Sequence, residues 1–221
     1  MATSCRVLAY SRAGHGNSQG PLEPRSPEYY RNQVETVLPA LLDHFEVGRP
    51  VLYGHSEGAA IGLLYAAQAP DSVHALILEA PVVAPEPSAR EKIQDLAETY
   101  ASSGLQSKLT RYHRDADAVF QSWIAGVTAP QMLEFPVELS LPKVVCPVLV
   151  LQGAEDEFGG PVQLHVLRKY LPWAQWEVIA GAGHLLHREQ TEFVLNRVRQ
   201  FLAVISSVSQ ERKTFRRTQV P

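Results

Sequence analysis

The stretch Pro50-Val51-Leu52-Tyr53-Gly54-His55-Ser56-Glu57-Gly58 constrains this chain more than any other. An apolar run ends at Tyr53. A run of small and apolar residues, Gly58-Ala59-Ala60-Ile61-Gly62-Leu63-Leu64-Tyr65-Ala66-Ala67, begins just after. The pattern reads as strand, sharp turn, helix, with a serine between two glycines at the turn. So tight a turn is expected to admit only glycine or another small residue on either side of the serine. Its strain lifts the hydroxyl above the sheet, over the helix N-terminus. A serine hydroxyl is a weak nucleophile at neutral pH, so the reading depends on a base and an acid elsewhere in the chain.

The rest of the chain supplies the frame. Arg6–Tyr10 reads as a short buried strand that runs into a turn-rich loop, Ser11 to Ser18. Glu28 to Phe45 has helical period, with Val34, Val37, Leu38, Leu41, Leu42 and Phe45 on one face and a kink expected at Pro39. Further strands are expected at Val73–Glu79, Pro147–Gly153 and Gln175–Ala180, with helices at Val162–Tyr170 and Glu189–Ile205. Alternating helices and continuous apolar strands predict an α/β fold, a mostly parallel sheet flanked by helices.

One segment has a different texture. After a proline-rich hinge (Pro81, Pro85, Pro87), helices are expected at Ser88–Ser103, Leu105–His113 and Asp115–Ala125 before the strand pattern returns. This insertion, about residues 81–142, reads as a helical lid over the carboxyl ends of the strands. Residues 206–221 are polar and basic and read as a disordered tail, so the folded domain is expected to span residues 1–205.

Composition sets limits. With 221 residues and 45% hydrophobic content the chain can bury a single sizeable core. A net charge of -3 gives no argument for nucleic acid or an anionic membrane. No apolar run is long enough to span a bilayer, and Met1–Arg6 lacks a secretory apolar region. The expected compartment is the cytoplasm, with Cys146 a buried free thiol at the start of a strand and no disulfide to Cys5. The partner expected is a small-molecule substrate, with oligomeric state left open.

Of eight histidines, His184 alone ends a strand and a glycine-rich loop (Ala180-Gly181-Ala182-Gly183) just before the last helix. Such a loop can place an imidazole over the sheet. His187 is its nearest competitor, read as packing or capping at the helix start, and His55 is read as packing, its side chain turned away from the serine. Asp156 follows the Val148–Leu151 strand by a short turn and is the expected acid, with Glu79, at another strand's carboxyl end, as the alternative. The order Ser56, Asp156, His184 is that of a Ser-Asp-His hydrolase sheet. The histidines have no local zinc spacing and no phosphate-binding glycine loop is present, so no metal or cofactor is expected.

With these residues in hand, the chain from Arg6 to Leu202 resembles the α/β-hydrolase superfamily. Ser11-Arg12-Ala13-Gly14-His15-Gly16-Asn17-Ser18 is similar to the loop after the family's fourth strand, with Ser11 where the family usually has aspartate. Gly54–Gly58 is similar to its nucleophile turn, Cys146–Asp156 to its seventh strand and acid, and Gly183-His184 to its histidine loop. The resemblance implies a serine hydrolase, esterase-like, that works through an acyl-serine intermediate. It also implies an oxyanion donor at the Glu57 N–H and a second donor from a His-Gly segment after the family's third strand, which has no counterpart here. Loss of one such donor costs about 3–4 kcal/mol of transition-state stabilisation. In the family the third strand lies between the fourth and the fifth. Here the Arg6–Tyr10 strand is therefore expected either to pair directly with Val51–Tyr53 or to leave a gap in the sheet. Two alternatives follow: carbon–carbon bond hydrolysis or cofactor-free peroxidase-like chemistry on the same triad, and an impaired scaffold lacking part of the oxyanion hole. Tyr112, His113, Phe120 and Trp123 are the lid side chains expected near substrate.

Overall fold

Continuous apolar strands need cover on both faces, and the sheet has it. The computed structural model describes residues 5–84, 87–130 and 137–218. Met1–Ser4, the hinge residue Pro85, Pro136 and residues 219–221 lie outside the described residues. Strands β1 (Val51–His55), β2 (Ala75–Glu79), β3 (Val148–Gly153) and β4 (Gln175–Ile179) pair in parallel in the order β1-β2-β3-β4. Every residue of β2 and β3 is buried, as expected of the centre of a parallel sheet.

Side-chain alternation divides the core in two. Leu76, Leu78, Val148 and Val150 join the helices on one face, and Ile77, Leu149 and Leu151 join Val198 and Phe201 on the other. The first face carries α1 (Pro27–Asn32), α2 (Leu38–His44), α3 (Glu57–Gln68) and α7 (Pro161–Tyr170). The second is covered by α8 (Leu186–Glu189) and α9 (Thr191–Thr218). Ser26 caps α1 by accepting the Tyr29 N–H at 3.1 Å. A π-helical turn, Gln33–Val37, joins α1 to α2 just before Pro39. Proline cannot supply an N–H to the preceding turn, and the wider turn accommodates the expected break.

Between β2 and β3 the chain forms α4 (Pro87–Thr99), α5 (Leu105–Leu109), α6 (Ala116–Val127) and a 3₁₀ segment (Val137–Lys143). This insertion is fastened to the loop after residue 10. The Arg114 N–H donates to the Gly16 carbonyl at 3.1 Å, and the Gly16 N–H donates to His113 Nδ1 at 3.0 Å.

Two expectations are corrected. Arg6–Tyr10 is not a strand and is not buried: Val7 is 54% exposed and Tyr10 40%. Extended backbone becomes a strand only by pairing, and these residues are separated from β1 by an open cavity of about 940 Å³. Among the described residues β1 pairs with β2 alone, so it forms the sheet edge. At the other end, α9 continues to Thr218, through residues read from composition as a disordered tail. Among the described side chains Ile205 is the last that it adds to the core, and a helix already nucleated by packing propagates at little cost. Cys146 is buried and unpaired as expected, and burial pushes its thiol up to about 11.

Candidate active site

The serine turn is built as its sequence implies, with one exception. Ser56 has φ 52° and ψ -115°, a backbone conformation that costs about 1–3 kcal/mol for a non-glycine residue. Its N–H donates to the Glu79 carbonyl at 2.9 Å, which ties the turn to the end of β2. A Cβ on Gly54 would lie 2.3 Å from the Gly58 carbonyl oxygen, so glycine is obligatory there. At Gly58 nothing lies within 4 Å of such a Cβ. The tightness expected on both sides of the serine therefore exists on the strand side only.

Asp156 and His184 meet at the ends of β3 and β4. A Cβ on Gly153 would lie 2.2 Å from the Gly183 carbonyl oxygen, so the last residue of β3 lets the histidine loop close onto the strand. His184 Nδ1 then lies 2.9 Å from Asp156 Oδ1 and 3.0 Å from Oδ2. Asp156 also accepts the N–H groups of Phe158 and Gly159 at 2.9 Å and Gln152 Nε2 at 2.6 Å. Burial alone would raise the Asp156 carboxyl. The His184 hydrogen bond and charge, then the two backbone N–H groups, hold it below the usual carboxylate range. An ionised carboxylate on Nδ1 fixes the tautomer that leaves Nε2 free to take a proton.

Among the described residues no hydrogen bond closes between Ser56 Oγ and His184. The link between them runs through His55, whose Nε2 faces the His184 carbonyl oxygen at 2.8 Å and whose ring centroid is 4.8 Å from that of His184. Nucleophile–base contacts of this kind often tighten only around substrate. His55 thus holds the histidine loop, a role its assignment to packing missed; burial lowers its pKa.

Glu79, the alternative acid, binds a different histidine. Its Oε1 accepts the His187 N–H at 2.8 Å and lies 2.7 Å from His187 Nδ1, and Tyr53 donates its hydroxyl to Oε2. Both carboxylates therefore serve the same loop: Asp156 holds its imidazole and Glu79 its following helix.

The other flank of Ser56 carries charge that no motif announced. Glu57 opens α3, so its N–H is one of the free donors of a helix N-terminus. Its carboxylate is gripped by Arg12 at 2.6 Å and by Arg25 Nε at 2.9 Å. Burial works against that carboxylate, but the Arg12 and Arg25 charges together hold its pKa down. Arg25 is 3% exposed. Its position was unreadable because it lies in a loop with no period. Arg12, Ser56, Glu57 and Trp123 line the cavity beside β1. Of the other lid candidates, Phe120 is buried in a stack on Tyr100 at 3.8 Å, Tyr112 is 59% exposed, and His113 bonds the Gly16 loop.

The parallel sheet with its flanking helices and the sequence that builds it can be compared with known proteins. The model of the alpha/beta hydrolase family matches residues 1–197. The chain belongs to that family. It is 29% identical over 208 residues to the monoglyceride lipase of Rattus norvegicus, a match covering 84% of this chain and 68% of that protein. Among solved structures it is similar to a thermophilic esterase from Thermogutta terrifontis, with a TM-score of 0.63 and 26% identity over 87% of this chain and 77% of that one. A 2-hydroxy-6-oxo-6-phenylhexa-2,4-dienoate hydrolase from Rhodococcus shares the fold at a TM-score of 0.70 and 18% identity, over 84% and 75% of the two chains. Among the described residues no helix is long and apolar enough to cross a membrane.

Proposed function

We propose that this member of the alpha/beta hydrolase family is a serine hydrolase of carboxylic esters, working through an acyl-serine intermediate. The observation that carries the reading is the hydrogen-bonded Asp156–His184 pair on a loop bonded to His55, the residue next to the strained Ser56. In this reading Ser56 Oγ attacks the ester carbonyl carbon and His184 Nε2 takes the hydroxyl proton. The same imidazole returns that proton to the departing alkoxide, and a water then repeats the attack on the acyl-serine. Asp156 stabilises the imidazolium and holds its tautomer. The Glu57 N–H donates to the developing oxyanion.

The substrate reading is an ester with an apolar acyl part. Supporting it, the cavity beside Ser56 is lined by Leu38, Leu42, Val51, Leu52 and Ile61. Relatives named as a monoglyceride lipase and an esterase point the same way. Trp123 is the lid residue assigned to substrate contact, on the ground that it lines this cavity.

The test is turnover of a p-nitrophenyl ester series of increasing acyl length. Hydrolysis that disappears in Ser56→Ala is the expected result. No turnover by a folded wild-type chain on any member would leave a scaffold in place of an enzyme.

A further inference from the structure

Beside the Asp156–His184 pair lies a second cluster that the hydrolase reading does not use for chemistry. Glu79 is fully buried, and its ion-pair partner is His187 rather than a lysine or arginine. His55 stands at the end of the adjacent strand, in direct register with Glu79. The His55 and His187 ring centroids are 5.2 Å apart. One ligand atom from each of His55, Glu79 and His187 lies within 4.8 Å of the other two. Local spacing gives no sign of this group, because its members come from β1, β2 and α8 and meet only in the fold.

The hydrogen bonds set the imidazoles up for coordination. His55 Nε2 faces the His184 carbonyl oxygen at 2.8 Å, so Nε2 carries the proton and Nδ1 keeps its lone pair. A backbone carbonyl on the far nitrogen is the usual way a protein orients a metal-binding histidine. Tyr53 donates to the Glu79 oxygen that His187 does not use, an outer bond of the same kind. His187 has 40% of its side chain exposed, which gives the ion a side of entry.

We propose that His55, Glu79 and His187 form a binding site for a divalent transition-metal ion of the zinc class. Two imidazoles and one carboxylate suit zinc, with a water in the fourth position, and do not suit magnesium or calcium, which take oxygen ligands. Zinc bonds of about 2.0–2.2 Å at tetrahedral angles hold donor atoms roughly 3.3 Å apart, so His187 Nδ1 and Glu79 Oε1, now at 2.7 Å, part slightly to admit the ion. The ion takes the place of the proton between His187 Nδ1 and Glu79, and that proton is released to solvent. Once bound, it ties the helix after His184 to the residue before Ser56, with the His184 carbonyl still accepting from His55 Nε2, and so braces the histidine loop without occupying the Asp156–His184 pair.

The experiment uses the full chain carrying Ser56→Ala, stripped of metal by chelator and titrated with ZnCl₂ in a calorimeter. The readout is metal binding and not turnover, so the result is independent of the hydrolase reading. One ion per chain is expected, with affinity weakened by more than roughly a hundredfold by added His187→Gln or Glu79→Gln, since each removes a ligand and not an outer partner, and unchanged by added His184→Gln. Absence of binding would overturn the proposal. So would binding lost with His184→Gln and kept with His187→Gln. If a variant does not fold, the visible spectrum of the Co²⁺-loaded Ser56→Ala chain decides. Intense bands of a four-coordinate nitrogen–oxygen site support the proposal, and the weak spectrum of hydrated Co²⁺ overturns it.

Discussion

On the β3 side of Ser56 the polar groups are buried and bonded. Asp156 has its imidazole, two backbone N–H groups and Gln152, and Glu79 holds the next turn of the same loop. On the β1 side the picture is the reverse. The sheet ends at an open cavity, the apolar residues Val7 and Leu8 face solvent, and the ordered polar feature is the Arg12–Glu57–Arg25 cluster. The first flank needs only short loops at the carboxyl ends of central strands. The second needs a neighbour for an edge strand. One flank of the serine turn is thus fully bonded, while the other rests on a helix N-terminus and a charge cluster.

If the β3 flank carries catalysis, Asp156→Asn should produce the largest effect. It leaves the packing in place but removes the charge that fixes the His184 tautomer, and kcat should fall on the order of 10⁴-fold. Steady-state ester hydrolysis checks this, and a loss under tenfold would shift the weight away from that flank.

The two glycines of the serine turn divide the comparison next. Gly54→Ala places a methyl group against the Gly58 carbonyl and should cost about 3 kcal/mol or more in urea unfolding. Gly58→Ala, in open space near the start of α3, should cost nothing measurable and gain up to about 1 kcal/mol of helix propensity. Equal losses in the two variants would contradict the one-sided tightness.

Glu79→Gln tests whether the β3 flank depends on the second carboxylate. It weakens the charge-assisted bonds to His187 and Tyr53, and a stability loss of about 1.5–3 kcal/mol is expected in the same assay.

Acid should act on the flanks in two stages. The folded state holds His55 at a lowered pKa, so the unfolded chain binds the proton first. Stability should decline as pH falls below about 6.5. Asp156 and Glu57 are held below their unfolded values, near 4, so their contribution is present above that pH and lost as pH falls through their folded values. Urea unfolding from pH 8 to 3 reads both stages, and His55→Gln should flatten the first.

The smallest effect belongs to the open flank. Val7→Ser should change stability by less than about 0.5 kcal/mol, because Val7 is 54% exposed and unpaired. A loss near 2 kcal/mol would mean that this segment packs.

How much of this was legible in the sequence follows the same division. The four strands, the serine turn and the Asp156 and His184 positions were readable because strand ends and turn formers are local signals. Arg6–Tyr10 was misread because apolar character alone does not supply a pairing partner. Arg25 was invisible because its partner, Glu57, is distant in sequence and the contact is made by folding. His55 was assigned to packing because adjacency to a nucleophile does not reveal which way a ring turns. Its bond to the His184 carbonyl is a tertiary fact.

The central claim is that Ser56 is acylated with His184 as its base. Acid-quenching the wild-type chain during turnover of p-nitrophenyl acetate, then mapping the adduct by peptide mass, tests it most directly. One acetyl group per chain on the Ser56 peptide, absent from Ser56→Ala and strongly diminished in His184→Gln, is the predicted result. Turnover with an adduct on another residue, or at the same level in Ser56→Ala, would contradict it.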